Sequence, residues 1–227
     1  MSATKTGVKA AATALIGLIV FVVLVFLPAG TFDYWQAWLF ITFFAVSTWV
    51  PAAYLIRTNP AALQRRMRAG PSAETRTVQK VVIGVAGVSA LGQLVLCAFD
   101  HRFGWSAVPA AVSAAGDLLV AIGLGIALLA VVQNSYAAAT VTVEAGQKTV
   151  STGLYGFVRH PMYLGNLVMM VGIPLALGSY WGLLILVPGV FVLAVRIVDE
   201  ETMLEHELDG YGDYARKVRY RLMPYLW

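Results

Sequence analysis

Apolar residues run along this chain in long unbroken blocks rather than at every third or fourth position: about Ala10 to Leu27, Trp35 to Ile56, Val81 to Phe99 and Val108 to Val132. Each approaches the roughly 20 apolar residues that carry a helix across the hydrocarbon core of a bilayer. A fifth block, Tyr163 to Val198, is long enough for two crossings and is broken at Gly178-Ser179-Tyr180-Trp181. It reads as a tight helical hairpin whose arms barely span. The pattern predicts an all-α, polytopic transmembrane bundle of about six spans, with the hairpin as the last two. The first block is preceded by Lys5 and Lys9, as a signal peptide would be, but it exceeds a signal peptide's apolar core and no small-residue cleavage site follows. It is therefore expected to stay as a permanent helix.

Composition agrees: of 227 residues 59% are hydrophobic and 12% charged, and the mean hydropathy is +0.74, outside the range of soluble domains. The lone cysteine, Cys97, lies inside the third block, which rules out an intrachain disulfide or a cysteine-rich metal site.

Charge sets the orientation. With six alternating spans, the two ends and residues 57–80, 133–162 and 199–227 share one side, and every Lys and Arg except Arg102 falls on it or at its edge. That is the positive-inside pattern, so both termini and the longer loops are expected in the cytoplasm. The net charge of +4 then reports topology rather than nucleic-acid binding. Arg65, Arg66 and Arg68 read as solvated topology charges that also suit anionic headgroups. Trp35, Trp38, Trp105 and Trp181 stand near span ends, as interfacial anchors do.

The chain reads as one integrated membrane domain with unlike halves: residues 1–132 are N-terminal spans, and residues 133–227 hold the polar and aromatic side chains. Asp117, near the start of the fourth span, is the exception. It is either a functional intramembrane carboxylate or a residue that snorkels to the interface or caps the helix.

Two clusters carry the candidate chemistry. In "GLYGFVRHPMYLGN" (residues 153–166), Pro161 keeps His160 out of the helix and opens the fifth one itself. Arg159 and His160 then stand before a helix N-terminus that favours anions. Gly153, Gly156 and Gly165 permit close backbone approach, and Tyr155 and Tyr163 offer ring faces and hydroxyls. Topology charge, cap and interface anchor would describe the same residues equally well. The second cluster is Arg196, Asp199, Glu200, Glu201 and Glu205, late in the last span, where acidic side chains oppose the helix dipole and call for cationic partners. The hairpin returns this cluster to the side that holds Arg159 and His160. A pocket between them would hold an anion at one end and a cation at the other, with Glu144 as a further acceptor. There is no metal-ligand spacing, Gly-rich phosphate loop or serine-nucleophile motif, so no metal is expected.

These residues resemble the integral-membrane methyltransferases that include isoprenylcysteine carboxyl methyltransferases and phospholipid N-methyltransferases. Residues 144–227 carry the likeness: "GQKTVSTGLYGFVRHPMYLGN", then "RIVDEETML", then "GYGDYARKVRYRLMP". The first 130 residues are similar only in being helical and apolar. The resemblance implies S-adenosylmethionine as cofactor in a cytosolic pocket built from the C-terminal half. It implies that Gln147, Val150, Gly153, Tyr155, His160, Pro161, Tyr163 and Gly165 frame the cofactor, with Glu144, Glu200 and Glu201 near its amine or ribose. Members often carry histidine where this chain has Gln147 and leucine where it has Thr149. Arg159 and Arg196 are expected to orient the acceptor, and Glu201 to serve as base where the acceptor is an amine. The implied reaction is in-line methyl transfer to a lipophilic acceptor from the bilayer, a carboxylate or a lipid amine, at a site needing alignment and exclusion of water. Two alternatives remain at this stage. One is an NADPH-dependent membrane reductase of the sterol-reductase type, which resembles the same C-terminal architecture. The other is a non-enzymatic transporter or scaffold, for which the spans offer few polar residues besides Asp117.

Overall fold

The computed structural model describes residues 3–137 and 139–227; the side chains of residues 3–6, 9 and 10, among them the predicted basic flank Lys5 and Lys9, lie outside the described part. The α-helices among the described residues are α1 (Ala3–Ala29), α2 (Trp35–Thr58), α3 (Pro60–Met67), α4 (Thr77–Phe103), α5 (Ala110–Gln133), α6 (Pro161–Ala176), α7 (Leu186–Glu207) and α8 (Tyr211–Lys217). Single turns of 3-10 helix occur at Pro71–Ala73, Gly153–Gly156 and Trp181–Ile185, and no strand forms among the described residues.

The chain is a polytopic helical bundle. Among the described residues five stretches are long and apolar enough to cross a membrane: Ala11–Ala29 of α1, all of α2, α4 and α5, and the continuous Trp181–Glu207 that contains α7. The expected hairpin is present, but its first arm, α6, has 16 residues. That is about 24 Å of helix against a hydrocarbon core of about 30 Å. Outward faces are apolar: Leu27, Val88, Val187 and Phe191 are each 70% or more exposed, which suits lipid rather than water. The chain is thus an integral membrane protein. The short helices α3 and α8 had no apolar block to announce them.

The closest helix pair is α5 with α6. Glycines seven residues apart on each helix, Gly116 and Gly123 on α5 and Gly165 and Gly172 on α6, let the two backbones touch. A Cβ added at Gly123 or Gly165 would lie 2.5 Å from the other residue's carbonyl oxygen, and one at Gly116 would lie 2.2 Å from the Ala176 nitrogen. Without a hydrophobic force between helices in lipid, such small-residue contacts supply the packing. They also fix where α6 begins, and with it Arg159 and His160.

At the far end, Asp100 accepts hydrogen bonds from the Ser106 nitrogen (2.7 Å), Ser106 Oγ (2.6 Å) and Ser179 Oγ (2.5 Å). Tyr34 Oη donates to the Leu177 carbonyl at 2.5 Å while its ring stacks on His101. Gly178, at φ +69°, turns the chain there. Trp35, Trp38, Trp105 and Trp181 all sit at this end, about half exposed, as interfacial rings should be. Asp117 neither snorkels nor caps. It is buried, and neither of its oxygens has a hydrogen-bond partner among the described residues.

The glycine contact yields a matched pair of variants on one helix. Gly123→Ala drives a methyl into the α6 backbone and should lower unfolding stability in detergent by about 1–3 kcal/mol. Gly125→Ala meets nothing within 4 Å and should leave the unfolding midpoint unchanged or slightly raised. Equal midpoints for the two variants would contradict the close α5–α6 approach.

Candidate active site

Pro161 occupies the first turn of α6 and His160 is the N-cap, with φ −123° and ψ 63°. The residue before a proline is driven out of the helical region, so the Arg159 and His160 side chains leave the helix axis and turn toward α7. Their backbone is held by the C-terminal tail: the Arg159 and His160 nitrogens donate to the carbonyls of Tyr220 and Arg221, both at 2.9 Å.

Glu201 of α7 is the point on which they converge. His160 Nε2 lies 3.0 Å from Glu201 Oε1, and Arg221 Nε donates to Oε2 at 2.7 Å. Arg159 Nε approaches Oε1 to 2.9 Å without the alignment of a hydrogen bond, so its donors are not used up. A carboxylate only accepts, so the imidazole proton of this pair sits on Nε2. Glu200, one residue earlier, points elsewhere. Its Oε2 accepts from Tyr163 Oη at 2.5 Å, and that hydroxyl accepts from Arg196 Nε at 2.8 Å.

Arg196 sits behind this relay and not beside open space. Its Nη1 donates to Gln79 Oε1 (2.8 Å) and Glu74 Oε1 (3.1 Å), and its Nη2 to the Ala139 carbonyl (2.7 Å). Glu74 Oε2 in turn accepts from the Val141 nitrogen. Asp199 is held by Gln79 Nε2 at 2.7 Å and by a two-bond pairing with Arg76. The sequence reading missed Glu74, Arg76 and Gln79. The one signal was a lone acidic residue, Glu74, in a basic loop.

A cavity opens between these groups. Its walls are residues of the 134–150 loop, among them Thr140, Gln147 and Val150, the α6 entry at residues 159–163, Glu200, Met203 and Leu204 of α7 and Leu208 just past its end, with Tyr155, Tyr211 and Tyr214 contributing rings. Burial pushes the Tyr155 hydroxyl up to about 12 and raises those of Tyr211 and Tyr214 as well, so all three remain donors at neutral pH. Tyr214 Oη spends its proton on the Tyr155 carbonyl at 2.8 Å. Tyr211 Oη is buried and has no hydrogen-bond partner among the described residues.

Of the residues singled out in the sequence, Gln147, Val150, Tyr155, Arg159, His160, Pro161, Tyr163 and Glu200 line this cavity. Glu144, Gly153, Gly165, Arg196 and Glu201 do not. Glu144 is bound by Arg65 at 2.7 and 2.8 Å on the outside of the loop, and that hydrogen bond holds its carboxyl below the usual value. Gly153, at φ +60°, lies against Gln133, whose Oε1 accepts from the Leu154 nitrogen at 2.8 Å. Gly165 is consumed by the α5–α6 contact, and Glu201 lies beneath His160. The two clusters nevertheless share one end of the bundle and touch directly, as the hairpin required. No group of three or more His, Cys, Asp or Glu suited to a metal ion occurs among the described residues.

Two comparisons bear on this site. A 95-residue stretch is 32% identical to the mouse (Mus musculus) protein Delta(14)-sterol reductase TM7SF2; it takes in 39% of this chain and 22% of that protein, so the chain matches about a fifth of its relative's length. The profile of the phospholipid methyltransferase family matches residues 112–209. It begins earlier than the resemblance read from the sequence, within α5, and stops before the tail that holds Arg159 and His160. Over residues 112–209, which contain α6, its Arg-His-Pro entry and the Glu-Glu pair of α7, the chain carries the phospholipid methyltransferase pattern, and that pattern supports methyl transfer at a membrane.

Proposed function

We propose that this protein is a multi-pass membrane enzyme that moves a methyl group from S-adenosylmethionine to a lipophilic acceptor, with the cavity and both termini in the cytoplasm. The observation that carries the reading is the junction of His160 with Glu201, which sets His160 and the neighbouring Glu200 in the wall of one tyrosine-rich cavity. The donor set fits the cofactor. Glu200 offers a carboxylate to an amine, Arg159 keeps donors for a carboxylate, and the unpartnered Tyr211 hydroxyl meets a polar group. Tyr155 and the apolar Val150, Met203 and Leu208 suit a flat heterocycle.

When bound, S-adenosylmethionine supplies a methyl group already activated by its sulfonium, so the chain has no leaving group to prepare. Its residues position, exclude water and, for an amine acceptor, take a proton. Glu201, encircled by Arg159, His160 and Arg221, fixes the imidazole instead of acting as the base. Glu200 is the carboxylate that reaches the cavity, and Tyr163 with Arg196 holds it in place. Gln147 and Val150 come from a loop that Arg65 pins through Glu144, which keeps one wall in position. Residues 1–132 supply the bilayer scaffold, and residues 133–227 supply most of the cavity.

A reductase remains the second reading, favoured by the partial likeness to the mouse sterol reductase and by Lys148 on the cavity wall. Calorimetric titration of the purified protein separates them. S-adenosylmethionine should bind and NADPH should not, and membranes given methyl-labelled cofactor should yield a labelled lipid. NADPH binding without affinity for S-adenosylmethionine would replace the methyltransferase reading.

Within the cavity, Glu200→Gln should weaken S-adenosylmethionine at least tenfold, or about 1.4 kcal/mol, with the unfolding midpoint unchanged. Wild-type affinity in this variant would remove Glu200 from the site. Glu201→Ala should abolish binding by another route. It leaves two guanidinium groups and the His160 ring around an emptied buried position, a loss of about 3–5 kcal/mol, so its unfolding midpoint should fall as well; an unchanged midpoint would show that Glu201 is no structural pivot.

A further inference from the structure

Beside the cavity lies a second opening whose character is the reverse. A groove runs between α2 and α5, lined by Pro51, Leu55, Leu63, Leu124, Leu128 and Val131. Ser47 and Thr48 stand at its upper end, and the Thr48 hydroxyl is satisfied by the Phe44 carbonyl at 2.8 Å, so it asks nothing of a ligand. From Ser47 to Leu55 the groove follows α2 for about 12 Å. At its other end stands Arg66 of α3.

Arg66 differs from the cations around it. Arg65 holds Glu144, Arg76 holds Asp199, Arg159 and Arg221 share Glu201, and Arg196 holds Glu74. Among the described residues no carboxylate pairs with Arg66. Its recorded hydrogen bond goes to the Met162 sulfur, a weak acceptor. Its surroundings also withdraw water, and burial lowers its pKa. A guanidinium that is partly desolvated and lacks an anion is costly, and a planar fork of donors matches a carboxylate or a phosphate.

Met162 is the hinge of the argument, because it touches Arg66 on one side and lines the polar cavity on the other. From this juxtaposition we infer that the α2–α5 groove is the binding site of an amphiphile's apolar tail, and that Arg66 selects an anionic group at its head. The occupant is a single-tailed molecule bearing a carboxylate or phosphate, held with its head one side chain away from the cavity. This rests on the proposed methyl transfer only for calling the occupant the acceptor; the binding itself needs no cofactor.

The test uses the purified protein in maltoside micelles, which contain no phosphate, without cofactor. The probes are three pyrene-labelled amphiphiles of equal tail length ending in a carboxylate, a monophosphate or an alcohol. Saturable binding of at least one anion at least tenfold tighter than the alcohol is expected, and the two anionic arms tell which head is preferred. Arg66→Gln should erase that preference while Arg66→Lys keeps part of it, and both should bind S-adenosylmethionine within twofold of wild type. A photoactivatable tail on the preferred anion should label α2 and α5 peptides of the wild-type protein, which reports on the groove even if a variant fails to fold. Equal binding of anion and alcohol, unsaturable partitioning, labelling elsewhere, or an Arg66→Gln variant that still prefers the anion would each overturn the assignment. Failure to bind S-adenosylmethionine in the wild type would instead count against the cavity and leave the groove's result standing.

Discussion

The structure turns on one buried carboxylate. Glu201 sits at 4% exposure, where an isolated charge would be expelled or neutralised. It is held because three side chains from two separate stretches, Arg159 and His160 before α6 and Arg221 from the tail, come within 3.0 Å of it. Charge-assisted contacts of this kind gain strength where water is absent. The consequence is architectural. The junction ties the start of α6, the last turns of α7 and the C-terminal tail into one body, and the tail's carbonyls complete it by accepting the Arg159 and His160 N–H groups. The tyrosine cavity is the space left over beside that junction.

A junction at one end of a membrane bundle needs a fixed distance to the other end. The glycine faces of α5 and α6 provide it through backbone contact, which side-chain rotamers cannot loosen. The Asp100 cluster provides it at the far end by gripping both Ser106 before α5 and Ser179 in the hairpin turn. Because α6 is short for a full crossing, its ends cannot slide freely without drawing polar groups into lipid. Hydrogen bonds at the turn and the Glu201 junction at the base thus act on opposite ends of the same rigid rod.

Local rules made part of this legible in the sequence. A proline after Arg-His foretells a helix start whose preceding side chains swing away, and His160 is the N-cap. An interrupted apolar block foretells a hairpin, and the hairpin places α6 and α7 so that His160 and Glu201 meet. What the sequence concealed depends on distant pairing. Glu144 looked like a pocket acceptor, yet Arg65, 79 positions away, claims it. Gly165 looked like room for a ligand, yet that room is taken by Gly123 of α5. Arg196 looked ready to orient an acceptor, yet Glu74 and Gln79 surround it, and nothing in their local spacing points across 122 and 117 positions. Hydropathy located the spans, but it carries no information about which polar group reaches which.

Neighbouring residues of α3 show what that distinction means for a membrane site. Arg65 and Arg66 are adjacent and alike in charge, but successive residues on a helix point about 100° apart. One faces the loop and is neutralised by Glu144; the other faces the α2–α5 groove and is not. Any reaction between a water-soluble donor and a lipid-borne acceptor faces conflicting solvent demands, since the donor must enter from water and the acceptor must not leave lipid. Two compartments separated by the Met162 side chain answer that conflict better than one large cavity would. On the proposed reading each guest would keep its own environment until the reacting groups meet, with Met162 standing between the two spaces.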